Sequence, residues 1–221
     1  VQDAFLVIDV DVRSRDSGDS FTILTLGNSS GRIPTDPFWP ERQDLVTGLR
    51  KGHVVQAIGE VVTYRERRQL KVTSLRPLPA AAVDLAALLP SVGPVEKYWE
   101  TLDGWRHEIR KPRLRRVVDL FYEDPDFRRD YERCPAAVRG HHAAIGGLLK
   151  HTTEVAAIAR TIARACGADP EIVLAGVLLH DIGKLEAYTW GGLFEHTISG
   201  SLIGHVVLGG LMLDRRIDEQ D

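Results

Sequence analysis

The hydrophobic period of this chain changes near residue 80, and a chain that changes period cannot fold as one uniform layer. Before that point, short stretches rich in β-branched residues alternate with turn formers: AFLVIDVDV (4–12), SFTILTL (20–26), GRI (31–33), HVVQAIGEVVTY (53–64) and QLKVTSL (69–75). RDSGDS (15–20) and GNSSG (27–31) break the early stretches. Five short strands, with a helical piece at 41–50 between the third and fourth, predict a small β-barrel of the OB type. An SH3-like barrel or another small β domain fits the same strand count.

Beyond residue 94 the period is helical. Tyr98, Leu102, Trp105 and Ile109 fall on one helical face, and Leu114, Val117, Val118 and Phe121 on another, with Pro112 breaking the run between them. Val155, Ile158, Ala159 and Ile162 repeat the pattern in a helix expected over 152–165. ADPE (168–171) then offers an N-cap aspartate followed by proline at the first helical position. The helix it opens, 170–181, is apolar almost all round and should sit in the middle of a bundle. Between the two regimes, RPLPAAAVDLAALLPSVGP (76–94) reads as a linker with one short helical turn. The expected fold class is therefore multidomain β + α: a small β-barrel over 1–78, a linker over 79–94 and an all-α unit over 95–221.

Composition excludes more than it assigns. At 221 residues and 43% hydrophobic the chain can bury two small cores. A formal charge of −3 gives no global case for nucleic-acid binding, so that case must come from local patches. Cys134 and Cys166 show no paired spacing and read as reduced thiols of a cytoplasmic protein. The chain has neither a long apolar run nor a basic-then-apolar leader, which argues against a membrane span or secretion.

The chemistry concentrates in LAGVLLHDIGK (174–184), an apolar helix that ends in His180 and Asp181, is stopped by Gly183 and is followed by Lys184. Antiparallel packing of neighbouring helices would bring His151 to the same end of the bundle. A carboxylate at the end of a buried helix has to be paired or metal-bound, because leaving it bare is expensive. Imidazole and carboxylate together, with no thiolate near, suit a divalent transition metal such as Mn, Fe, Ni or Zn. Glu154 and Glu186 lie close to the motif and read either as its outer partners or as surface charges.

HTTEVA (151–156) followed by LLHDIGK (178–184) resembles the HD superfamily of metal-dependent phosphohydrolases. CPAAVRGHHAAIGGLLKHT (134–152) and GSLIGHV (200–206) narrow the resemblance to the YhaM-type 3′→5′ exoribonucleases, which join an N-terminal OB fold to an HD domain. The resemblance implies that His151, His180 and Asp181 are metal ligands, that His205 faces the same site and that Lys184 lies near the phosphate. It also implies that His141 and His142 line the substrate channel, although by themselves they read equally well as helix N-terminal histidines bonded to the backbone. HD enzymes add an aspartate from a later helix; nothing after His205 matches it, so the HD unit is expected to be incomplete at its C-terminal end. The expected cofactor is Mn²⁺, with Fe, Ni, Co and Mg as alternatives.

Strand binding has its own candidates. Arg65, Arg67, Arg68, Lys71 and Arg76 outnumber Glu60 and Glu66 between residues 60 and 76, and Arg106–Arg116 carries six basic residues against Glu108. Tyr64, beside Arg65, and Trp39 are the aromatics best placed to stack on bases, whereas Phe21 reads as core. Three functions compete: a metal-dependent 3′→5′ exonuclease on single-stranded RNA, with single-stranded DNA as a second substrate; an HD phosphohydrolase of small nucleotides; and a non-catalytic single-strand binding protein with an incomplete HD site. The expected partner is a single-stranded nucleic acid and not a membrane, and a homo-oligomer fits equally well.

Overall fold

Alternation in the first third of the chain produces an antiparallel sheet. The computed structural model describes residues 1–15 and 18–219; Asp16, Ser17, Gln220 and Asp221, and with them the centre of the RDSGDS turn, lie outside the described residues. Strands β1 (Gln2–Ser14), β2 (Ser20–Asn28), β3 (Gly31–Pro34), β4 (Val54–Tyr64) and β5 (Arg67–Leu78) form one sheet in the order β3-β2-β1-β4-β5. A bridge between Thr35 and Leu70 links the two ends of that order, and Asp36 N–H donates to the Leu70 carbonyl at 2.9 Å. The helical piece expected at 41–50 is a 3-10 turn over Pro40–Leu45. Phe5, Val7, Leu24, Leu26, Val55, Leu70 and Val72, all buried, make the core.

Two compact units divide near Pro90, the helical one running over Ser91–Trp190 and Phe194–Asp221. The Pro- and Ala-rich stretch read as a linker folds into 3-10 turns at Ala80–Ala82 and Ala86–Leu88, and Leu88 and Leu89 are buried. The helical unit comprises α1 (Glu96–Arg106), α2 (Pro112–Tyr122), α3 (Pro125–Tyr131), α4 (Gly147–Cys166), α5 (Pro170–Leu179), α6 (Lys184–Ala187), α7 (Ile198–Leu202) and α8 (His205–Asp218). A two-residue hairpin, β6 (Tyr188–Thr189) with β7 (Glu195–His196), separates α6 from α7. Pro112 begins α2, where its missing N–H would have no helical partner in any case. No helix among the described residues is long and apolar enough to cross a membrane.

The core of this unit gathers Trp99, Leu102, Val118, Phe121, Tyr122, Phe127, Tyr131, Leu148, Leu149, Leu174 and Leu178. One expectation fails on α4. Ile158 and Ile162 are 61% and 57% exposed, and the buried stripe is instead Leu148, Leu149, Thr152, Ala156 and Ala163. Toward the C-terminal half of α4 the stripe is made of small residues, Ala156 and Ala163, where the period alone suggests branched ones.

The basic run Arg106–Arg116 also has a structural use. Arg106, 6% exposed, lies against Asp119 (2.5 Å), Glu123 (3.3 Å) and Asp103 (3.4 Å). Arg115 shares Asp119 at 2.7 Å, and Lys111 pairs with Asp169. Removing a buried cation leaves its carboxylates short of a partner, so Arg106→Ala is expected to cost about 3 kcal/mol. Urea denaturation checks this; a loss under about 1 kcal/mol would mean that Arg115 and Arg128 already neutralise Asp119 and Asp103.

Candidate metal centre

His151, His180 and Asp181 come together because two helices end, or nearly end, at one place. α5 is held at its start by the Asp169 side chain, which accepts from the Glu171 and Ile172 N–H groups, and Pro170 occupies the first turn. It stops at Leu179, so His180 caps it and Asp181 lies in the following turn, from which α6 starts at Lys184. α4 begins at Gly147, five residues earlier than the hydrophobic period suggests, and His151 therefore lies inside the helix and not ahead of it. The early start depends on Gly146 at φ 78°, a left-handed position that favours glycine. The buried Thr152 hydroxyl lies 2.6 Å from that of Tyr131, which fixes the rotation of α4 and aims its neighbour His151.

The ligand atoms of His151, His180 and Asp181 all lie within 4.8 Å of one another. Asp181 is the hub. Its Oδ2 is 3.3 Å from His151 Nε2, 3.1 Å from His180 Nε2 and 2.6 Å from Lys184 Nζ, while its Oδ1 is 3.3 Å from His205 Nε2. Burial would push the Asp181 carboxyl up, but hydrogen bonds from His151, His180 and Lys184 outweigh it and hold the group far below the usual carboxylate range. Burial likewise works against charge on His180, yet the hydrogen bond and charge of Asp181 raise its pKa. At His205 burial prevails and the pKa falls.

The donor chemistry fits a divalent metal. His180 Nδ1 lies 2.6 Å from the Val177 carbonyl, an arrangement that leaves Nε2, on the Asp181 side, free to act as a ligand. Two imidazoles and a carboxylate with no thiolate form the set that suits Mn, Fe, Co, Ni or Zn.

Lys184 differs from expectation. Its ammonium is not placed on the open side to meet a phosphate; it is 7% exposed and lies against Asp181 within the same turn. His205, at the start of α8, does face the carboxylate. The His141 and His142 rings lie with centroids 3.7 Å apart, tilted by 47°, and the His142 ring lies 6.0 Å from that of His151. His142 Nε2 is 2.8 Å from Glu154 Oε2. Glu154, undecided between outer partner and surface charge in the sequence, is 47% exposed and meets His142 rather than His151, His180 or Asp181. Glu186 pairs with Arg215.

The strand-binding candidates do not share one surface of the sheet unit. Tyr64 pairs with Arg67 and Glu60 with Lys71, so these point to one face, whereas Arg68, paired with Thr63, shares its face with the buried Leu70. Arg65 and Glu66 form the two-residue hairpin turn, with φ 48° and 64°, and the Arg65 guanidinium lies 5.3 Å from the exposed Tyr64 ring. Trp39 is elsewhere. It follows Phe38, which bridges Thr22 beside the C-terminal part of β1, while the hairpin extends past the opposite end of that strand. Phe21, expected in the core, is half-buried and packs against Trp39 with centroids 4.7 Å apart and the rings tilted by 42°, and Arg15 covers the indole at 4.3 Å.

Comparison with known proteins agrees with the motifs. The HD domain family profile matches residues 148–220. The 3'-5' exoribonuclease YhaM of Bacillus subtilis (strain 168) is 26% identical over 206 residues, covering 92% of this chain and 65% of the relative. The protein of the same name from Listeria monocytogenes serovar 1/2a is 26% identical over 208 residues (92% and 66%), and that from Oceanobacillus iheyensis is 30% identical over 212 residues (92% and 65%). The chain thus spans about 65% of the length of the Bacillus subtilis relative it matches. The resemblance read from HTTEVA and LLHDIGK is borne out.

Proposed function

We propose that this chain, which belongs with the YhaM-type family and carries an HD domain, hydrolyses phosphodiester bonds of single-stranded RNA from the 3′ end with a divalent metal held by His151, His180 and Asp181. The observation that carries the reading is the convergence of those three side chains, with His205 on the second oxygen of the same aspartate. A bound divalent ion would polarise a phosphate oxygen and lower the pKa of a water toward ~7. Asp181 orients the two imidazoles, Lys184 holds the carboxylate in place from within the protein, and His205 presents a further nitrogen toward the same point. Mn²⁺ is the ion we favour, and a cytoplasmic setting suits the two free thiols.

We read the sheet unit as an OB-type barrel that holds the strand. Its strand order and the Thr35–Leu70 bridge support this. Tyr64, Arg65, Arg67 and Lys71 on the β4–β5 hairpin are the phosphate and base contacts; Arg68 would have to act from the opposite face, and Trp39 from the far end of β1. Every phosphate that a protein neutralises on a single strand adds about 0.7 to the steepness with which log affinity falls against log salt. Arg67→Ala is therefore expected to weaken binding of all sequences alike and to flatten that slope by about 0.7, measured by fluorescence anisotropy with a labelled oligonucleotide. An unchanged slope would remove the hairpin from the binding surface.

A 5′-labelled RNA incubated with the protein and Mn²⁺ tests the whole reading. A ladder of products shortened from the 3′ end is expected. A retarded but intact strand would favour a binding protein, and an untouched, unbound strand a phosphohydrolase of small nucleotides.

A further inference from the structure

Next to the centre just described lies a second group of metal-grade side chains that it does not use. His141, His142 and Glu154 each offer a ligand atom, and these atoms all lie within 4.8 Å of one another. Consecutive side chains on an ordinary backbone diverge, so a pair of adjacent rings 3.7 Å apart needs an unusual turn. The loop supplies one. Gly140 at φ 83° and His142 at φ 58° both take left-handed conformations. The turn is locked from below, since the His142 carbonyl accepts from Ala136 N–H at 3.1 Å and lies so close to Gly147 that a Cβ there would come within 2.0 Å of it. The His142 ring is only 5% exposed and meets Glu154, whereas His141 and Glu154 are open to solvent.

We propose that His141, His142 and Glu154 bind a second divalent transition-metal ion beside the first. Two imidazoles and one carboxylate on one side of an ion leave coordination positions open on the other, which suits an ion that must also meet a ligand from solution. Glu154 and His151 lie three residues apart on α4, so they share a helix face, and the His142 and His151 rings are 6.0 Å apart. The two positions are thus neighbours. Under the proposed nuclease reading, the ligand from solution is a phosphate oxygen of the strand, held next to the reacting one. Lys150, 3.8 Å from Glu154 and partly exposed, is the cation that the ion would displace.

The test is metal counting on the full chain, stripped with chelator, reloaded by dialysis against Zn²⁺ or Co²⁺ and measured by inductively coupled plasma mass spectrometry. Glu154→Gln and His141→Ala alter solvent-exposed groups; each is expected to bind one equivalent fewer than the parent, with unchanged circular dichroism. Asp181→Asn should also lose an equivalent, and Asp181→Asn combined with Glu154→Gln one more than either alone. Parental stoichiometry in both Glu154→Gln and His141→Ala would overturn the second site and leave the first intact. Parental stoichiometry in Asp181→Asn would overturn the first and leave the second, so the two readings fail separately.

Discussion

Under the proposed nuclease reading, Asp181→Asn is expected to lower RNA turnover by roughly a thousandfold or more while strand binding by the sheet unit persists. The amide keeps the shape of the side chain but removes the charge that gathers His151, His180 and His205, and with it the metal affinity. The structure adds a cost that the motif alone does not reveal. Lys184, 7% exposed, loses its counter-charge, and an uncompensated buried ammonium destabilises by about 3 kcal/mol. Asp181→Asn combined with Lys184→Met removes both charges, so it should recover most of the stability and none of the turnover. Single-turnover degradation assays and urea denaturation separate the two effects. If either variant degraded RNA within about tenfold of the parent at saturating Mn²⁺, a difference of only ~1.4 kcal/mol, Asp181 would not hold the metal.

Gly183→Ala should unsettle the centre without touching a ligand. The backbone at Gly183 is ordinary helix, φ −65°, so glycine is not needed there for its conformation. It is needed for space: a Cβ would lie 2.0 Å from the His205 carbonyl oxygen and 2.2 Å from the Gly209 nitrogen, both backbone atoms of α8. α8 would have to move away, taking His205 from Asp181, and overpacking of this kind costs up to about 3 kcal/mol. Gly176, inside α5, is the control, because a Cβ there would meet nothing within 4 Å. Gly176→Ala should stabilise by up to about 1 kcal/mol through helix propensity alone. Opposite signs in urea denaturation are expected, and a neutral Gly183→Ala would show that α8 is free to shift.

The features legible in the sequence were those set by local pattern. Alternation marked all five strands of the sheet, and Asp169-Pro170 marked the start of α5, because a period or a cap is written in adjacent residues. His151, His180 and Asp181 could be placed at one end of a bundle because each lies at or near the end of a helical run. What escaped depended on distant partners. Arg106, Lys111 and Arg115 look like part of a phosphate-binding stripe until Asp119 and Asp169 fold against them. Ile158 and Ile162 look like core until the fold leaves them exposed and buries Ala156 and Ala163 instead. The pair Gly146-Gly147 reads as loop, since no propensity scale anticipates a helix opened by two glycines; only the close approach of the His142 carbonyl explains it.

On the metal-centre reading, the Lys184–Asp181 contact bears on how the molecule would take up an ion. In small metal-dependent domains an unoccupied cluster of ligands prevents folding, so the supply of ion and the supply of folded protein are one quantity. Here Lys184 Nζ, inside the protein, stands 2.6 Å from Asp181 Oδ2, so the carboxylate has a counter-charge that belongs to the chain itself. Synthesis and folding can therefore run ahead of loading. On the metal-centre reading, the fraction of loaded chains would follow the ion concentration around them, while the number of folded chains would not.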